Sequence, residues 1–231
     1  MGKMGRNYGS EWHFLEYHRT AAATLDAEVL VQLGLRSTSG VEWIYPPEDA
    51  VPGNEPEGLA FLSESDDPRE TKARTAWREF WPQRGSQPCW DGVARLDVEG
   101  EPSTWLLFEA KANVPEFVGS PCKASPASRT TIERALGFAK RRFGVHRHFD
   151  WTGSYYQHAN RLAVVAFLER HGVRARLVEV LFVGDRFPDG RECPAGAAAW
   201  QPMLEARRLT LGLPVDGLSG FVTHVFLPVG R

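Results

Sequence analysis

The chain has 231 residues, a formal net charge of −2 and a pI near 6.4, which excludes a nucleic-acid binder that relies on a global basic field and requires any phosphate-binding surface to be local. With 42% hydrophobic and 24% charged residues, eight Trp and thirteen Phe, the composition excludes a disordered chain and supplies one substantial core. The three cysteines form no Cys-x-x-Cys pair, residues 1–9 hold no apolar run of the signal-peptide kind, and no stretch of about twenty apolar residues exists, so a soluble protein of the reducing cytoplasm is expected.

Ser10 is a predicted N-cap for a helix over 11–33 with Gly34 as its stop. A short strand over 41–45 is closed by Pro46-Pro47, and the Pro, Gly, Glu, Asp and Ser content of 48–67 predicts a long surface loop. A second helix is expected over 69–81, ended by Pro82. Strands over 93–98 and 104–112 flank the turn-like 99–103, which predicts a hairpin. Helices are expected over 129–143 and 155–170, the latter deeply buried because 162–168 is nearly all apolar. A strand over 175–183, a helix over 197–211 and a strand over 221–229 complete the chain. That order predicts one α/β (α+β) domain over 1–231 with a mixed sheet.

The hairpin carries the chemistry. Alternation along the second strand puts Leu106, Phe108, Ala110 and Ala112 on one face and Glu109 with Lys111 on the other, the face that Asp91 shares from the first strand. With the hairpin centred near Glu101, Asp91 is expected across from Lys111, with Glu109 on the diagonal about 7–8 Å away. Two carboxylates and the main-chain carbonyl of Ala110 are hard oxygen donors suited to Mg2+, with Mn2+ as a substitute. Such an ion polarises a phosphate and lowers the pKa of bound water, and Lys111 is placed to orient that water or stabilise developing charge. The competing reading of Glu109 and Lys111 is a surface ion pair at a strand end. The apolar run before Glu109 weighs against it, because charges in a buried strand are costly.

An Asp eighteen positions ahead of Glu-Ala-Lys at the end of an apolar strand resembles the PD-(D/E)XK, or restriction-endonuclease-like, nuclease superfamily. The motif covers residues 90–111. The wider element order is similar to that superfamily's αβββαβ core, followed here by an extra C-terminal helix and strand. The resemblance implies magnesium-dependent hydrolysis of nucleic-acid phosphodiesters, DNA foremost, with Asp91, Glu109 and Lys111 as catalytic residues. Trp90 stands where the superfamily commonly has Pro, and Pro88 lies two positions before it.

Three supporting positions lie on helices. Glu11 falls within the apolar arc of the first helix, and the resemblance implies a metal ligand there; a first-turn carboxylate favoured by the helix dipole explains it equally well. Gln157, Asn160 and Arg161 share one helix face as candidate substrate-binding residues. Gln157 resembles a glutamine that some superfamily members carry, although the tyrosine expected four positions later is Arg161. Helix capping plus a buried salt bridge, with Asp185 or Glu179 as partner, is the alternative. The basic run around Lys140-Arg141-Arg142 and His146-Arg147-His148 reads as a solvated helix end, and His13 and His18 as structural. Trp77, Phe80, Trp81 and Trp90 are either base-stacking groups or core. The rivals to a DNA nuclease are a catalytically inactive relative serving as a nucleic-acid-binding or assembly module, an RNA or nucleotide substrate, and an interaction protein whose Glu-Ala-Lys is accidental.

Overall fold

A computed structural model describes residues 8–35, 40–47, 55–63 and 65–229. Along the described chain run α1 (Ser10–Gln32), β1 (Gly40–Tyr45), α2 (Pro68–Phe80), β2 (Gly92–Asp97), β3 (Thr104–Lys111), α3 (Val114–Val118), α4 (Pro126–Arg142), α5 (Tyr156–Arg170), β4 (Ala175–Val183), α6 (Ala197–Leu211) and β5 (Val222–Pro228). The strands form one five-stranded mixed sheet in the order β1-β2-β3-β4-β5. β1, β2 and β3 are antiparallel neighbours, whereas β4 and β5 run parallel to β3. Parallel neighbours need crossovers, which the segment carrying α3, α4 and α5 and then α6 supply.

The central strand explains the layering. On β3, Leu106, Phe108 and Ala110 bury against α1 residues Phe14, Leu25, Val29 and Leu30. Trp105 and Leu107 bury on the opposite face among residues of α2, α4, α5 and α6. Both faces of the sheet are therefore dry around β3, and polar side chains there must find partners within the protein. α5 is buried along His158–Leu168, as its apolar run predicts: a helix apolar all round has no face to offer water.

Several expectations need correction. The β2–β3 hairpin pairs Leu96 with Thr104 and Gly92 with Phe108, which centres it on Gly100 and not Glu101. This two-residue shift leaves side-chain parity intact, so Asp91, Glu109 and Lys111 keep a common face. Residues 48–54 and 64 of the predicted surface loop lie outside the described residues. Its described part holds a 3₁₀ turn, Ala60–Leu62, with Leu59, Phe61 and Leu62 buried, so apolar side chains override the polar composition. Helix α1 is capped by Gly9 instead of Ser10 and kinks at Ala21. The sequence reading missed α3. Trp77, Trp81 and Trp90 are core side chains and not base-stacking surfaces, with relative exposures of 4%, 1% and 0%.

Two contacts fix the start of α1 beside the end of β3. Gly92 leaves room for the Phe14 ring, which a Cβ at that position would meet at 2.6 Å. Asp185, just after β4, accepts the Gly9 N–H at 2.9 Å and pairs with His13 Nε2 at 3.0 Å. His13 is thus structural, as expected, and His18 stacks edge-on against Trp43 with ring centroids 4.9 Å apart.

Candidate active site

At the C-terminal end of β3 the chain opens into a cleft of about 980 Å³. Every candidate site residue except Ala110, proposed only for its main-chain carbonyl, lines it: Glu11 from α1, Asp91 before β2, Glu109 and Lys111 from β3, and Gln157, Asn160 and Arg161 from the first turns of α5. Seven positions spread over 151 residues of sequence are brought to one place by the register of two hairpin strands, one helix start and one crossover.

Asp91 sits where β2 begins and straddles Glu109. Its N–H donates to the Phe108 carbonyl at 3.1 Å, and its Oδ2 accepts the Ala110 N–H at 2.7 Å. The side chain therefore replaces a strand partner at the point where the β2–β3 ladder stops. In an extended strand the N–H and C=O of one residue point to the same edge, so the Ala110 carbonyl also faces the Asp91 side. Burial first, and then the negative charge of Glu109, push the Asp91 carboxyl up to about 7.

Glu109 is 4% exposed and held from both sides. Lys111 Nζ bonds its Oε1. Arg161 Nε donates to its Oε2 at 2.8 Å, and Nη2 lies 2.8 Å from the same oxygen as an ion pair. Burial alone pushes the Glu109 carboxyl up, but the Arg161 and Lys111 charges more than reverse this and leave it below its ordinary value. For Lys111, burial pulls the ammonium down while Glu109 and Asp91 more than offset it, so the amine stays charged at neutral pH. Lys111 is in consequence a donor and a positive charge in this site, not a free base. The Arg161 salt bridge goes to Glu109, neither to Asp185 nor to Glu179, which corrects the alternative drawn from sequence. Its Nη1 donates to Asn160 Oδ1 at 2.7 Å, and the guanidinium lies 4.9 Å from the centroid of the Trp90 ring.

Among the described residues, no group of three or more His, Cys, Asp or Glu side chains is arranged to hold a metal ion. The donors at the end of β3 are two carboxylates and one peptide carbonyl, all oxygen. That set fits a hard ion such as Mg2+, which needs only one or two carboxylates and keeps waters in its remaining positions. It does not fit zinc, which favours nitrogen and sulfur ligands.

The cleft also contains groups that sequence reasoning passed over. Asn113 caps α3 by accepting the Glu116 N–H at 3.0 Å, and Glu116 Oε2 accepts the Ala112 N–H at 3.3 Å. This brings a further carboxylate into the cleft wall five positions after Lys111. The Asn-Val-Pro-Glu string, with Pro and Glu just inside a cap, was the available signal. Lys123 and Arg191 add positive charge to the rim. Tyr155, the N-cap of α5, adopts φ 62°, a left-handed conformation uncommon for a residue other than glycine, and so turns the chain into the helix that delivers Gln157, Asn160 and Arg161.

The basic run lies elsewhere and is occupied with structure. Lys140 donates to the Phe149 carbonyl, Arg142 pairs with Glu169, and His146 contacts His148. No family model matches the sequence, and neither a curated protein nor a solved structure matches the chain. Among the described residues, no helix is long and apolar enough to cross a membrane.

Proposed function

We propose that the protein is a divalent-metal-dependent nuclease, with Mg2+ as the working ion and Mn2+ as a substitute, that hydrolyses phosphodiester bonds of nucleic acid, DNA foremost. The observation that carries this reading is the meeting of Asp91, Glu109, the Ala110 carbonyl edge and Lys111 in one open cleft at the end of a buried strand. The order α1, β1, β2, β3, crossover helices, β4 supports a restriction-endonuclease-like core, with α2 inserted between β1 and β2 and with α6 and β5 appended.

Asp91, Glu109 and the Ala110 carbonyl would hold the ion, with Glu11 lining the same cleft. Bound there, the ion supplies Lewis acidity to a phosphate oxygen and acidity to a coordinated water. The remaining work belongs to the chain. Lys111, charged and anchored by Glu109, donates to the water or to the charge that grows on the phosphate. Arg161 offers a planar fork matched to phosphate oxygens, and Gln157 and Asn160 supply uncharged donors alongside it. Lys123 and Arg191 add two cations to a lining that also carries five carboxylates, with Arg191 paired to Asp189.

Purified protein is expected to cut linear, nicked, single-stranded or branched DNA with Mg2+ or Mn2+ and to stop in chelator. Asp91→Asn and Lys111→Ala are each expected to lower the rate by about 100-fold or more while leaving the circular-dichroism spectrum intact. Cleavage that persists in chelator, or at full rate in either variant, contradicts the assignment. A binding module without turnover is the second reading, favoured by the two cations that occupy both Glu109 oxygens; it predicts DNA binding with no cleavage under any ion.

A further inference from the structure

The inference concerns the access of an ion to Glu109, and it rests on the reading just given. Glu109 has two oxygens, and both are engaged by cations of the chain, Lys111 on Oε1 and Arg161 on Oε2. Lys111 is two residues away on the same strand and 9% exposed, so it has little room to leave. Arg161 comes from a different element, reaches across the cleft, and has two further contacts there, Asn160 Oδ1 and the Trp90 ring. It can give up the carboxylate and still be held at its other end.

We infer that Arg161 is an exchangeable counter-ion: it competes with the divalent ion for Glu109 Oε2, and on release it serves the phosphate group of the substrate. The chemistry of the three partners dictates the exchange. A guanidinium that donates its Nε–H to Oε2 and holds Nη2 2.8 Å from the same oxygen puts a positive charge where a divalent ion would sit, so ion binding and the Arg161 pair compete. A guanidinium that loses its carboxylate inside a protein wall needs another anion, because an unpaired buried charge is costly. A phosphodiester oxygen entering the same cleft is that anion, and its fork geometry is the one a guanidinium binds bidentately. By thermodynamic reciprocity, nucleic acid that draws Arg161 away tightens the ion, and the ion tightens nucleic acid. The site thereby binds free metal weakly but saturably and tightens on it when nucleic acid is also present.

The experiment measures Ca2+ binding by calorimetry, Ca2+ serving as an oxygen-seeking probe, on the full chain, on Arg161→Gln and on Arg161→Lys, each first verified as folded by melting and circular dichroism. Without DNA, Arg161→Gln is expected to bind Ca2+ about tenfold more tightly than the unmodified chain, even though its cleavage rate with Mg2+ falls. Arg161→Lys keeps the charge but loses the fork, and is expected to lie between them. The Arg161 Nε–H resonance, assigned by its loss in Arg161→Lys, is expected to shift and exchange faster when Ca2+ saturates the unmodified chain. That signal reports displacement, which a change in background charge alone would not produce. Equal or weaker Ca2+ binding in folded Arg161→Gln, or an Nε–H signal unmoved at saturation, overturns the exchange and leaves the nuclease reading standing. Failure of all three proteins to bind any divalent ion overturns both.

Discussion

Two buried glutamates sit side by side on the same face of the sheet, Glu109 on β3 and Glu179 on β4, as directly paired residues of parallel strands. Their relative exposures are 4% and 2%, and both carboxyls lie below their ordinary values because neighbouring cations outweigh burial. They differ in what surrounds the pair. Glu179 is closed on every side: Arg207 bonds both oxygens at 2.6 and 2.5 Å, and His158 and His224 reach it at 2.9 Å each. Glu109 has two cationic partners, but it lines the cleft, and Asp91 stands next to it with a carboxyl raised to about 7. A buried, paired carboxylate is therefore not in itself a sign of chemistry. A second carboxylate, held by one oxygen at the wall of an opening, is what separates the reactive end of the row from the structural one.

The largest expected effect that tests this contrast comes from exchanging the two losses. Glu109→Gln is expected to reduce cleavage by about 100-fold or more in protein that remains folded, with a smaller loss of stability than at Glu179, because Asp91 and the open cleft still compensate Lys111 and Arg161. Glu179→Ala leaves Arg207 uncompensated inside the protein and is expected to cost about 3–5 kcal/mol of stability, read by denaturant unfolding. Comparable destabilisation by both variants, with activity lost only through unfolding, would erase the distinction.

A smaller effect comes from acid. Burial, and next the Arg207 charge, push His158 from its ordinary value of 6.5 down to about 4, so the folded state holds it neutral. A depressed folded pKa means the unfolded chain takes the proton first. The His158 contribution is fully present above about pH 6.5 and is lost as pH falls toward about 4, amounting to about 3 kcal/mol at most. Glu179, also depressed, adds a loss that starts below its ordinary 4.5. Unfolding free energies of His158→Asn measured across pH 7 to 4 are expected to slope less steeply than those of the parent. Parallel slopes would remove His158 from the account.

The smallest expected effect is at the rim. Glu11→Gln is expected to weaken divalent binding by only a few-fold, because Glu11 lines the cleft from α1, the helix packed on the sheet face opposite to Glu109. Calorimetry that finds no change would leave Glu11 as a first-turn carboxylate of α1.

What could be read beforehand followed from periodicity. The alternation of β3 named its α1-facing residues, put Glu109 and Lys111 opposite them, and gave the cleft its walls even though the register was off by two residues. Parity survives an even slip, and the five-residue turn left such a slip open. The partner of Arg161 could not be read, because it depends on how far α5 slides along β3 and β4, a distance set by core packing between distant segments. Leu59, Phe61 and Leu62 were masked by the polar residues around them. Trp90 was left between base stacking and core packing because aromatic composition does not say which side of a strand end a ring will take; the ring is core, and its indole donates to the Gly58 carbonyl at 2.9 Å.

The most direct test of the central claim is divalent-ion binding by isothermal calorimetry, using Mn2+, on the parent chain, Asp91→Asn and Lys111→Met. Saturable binding in the parent that disappears in Asp91→Asn and persists in Lys111→Met is the predicted result. No binding in the parent, or undiminished binding in Asp91→Asn, would contradict it.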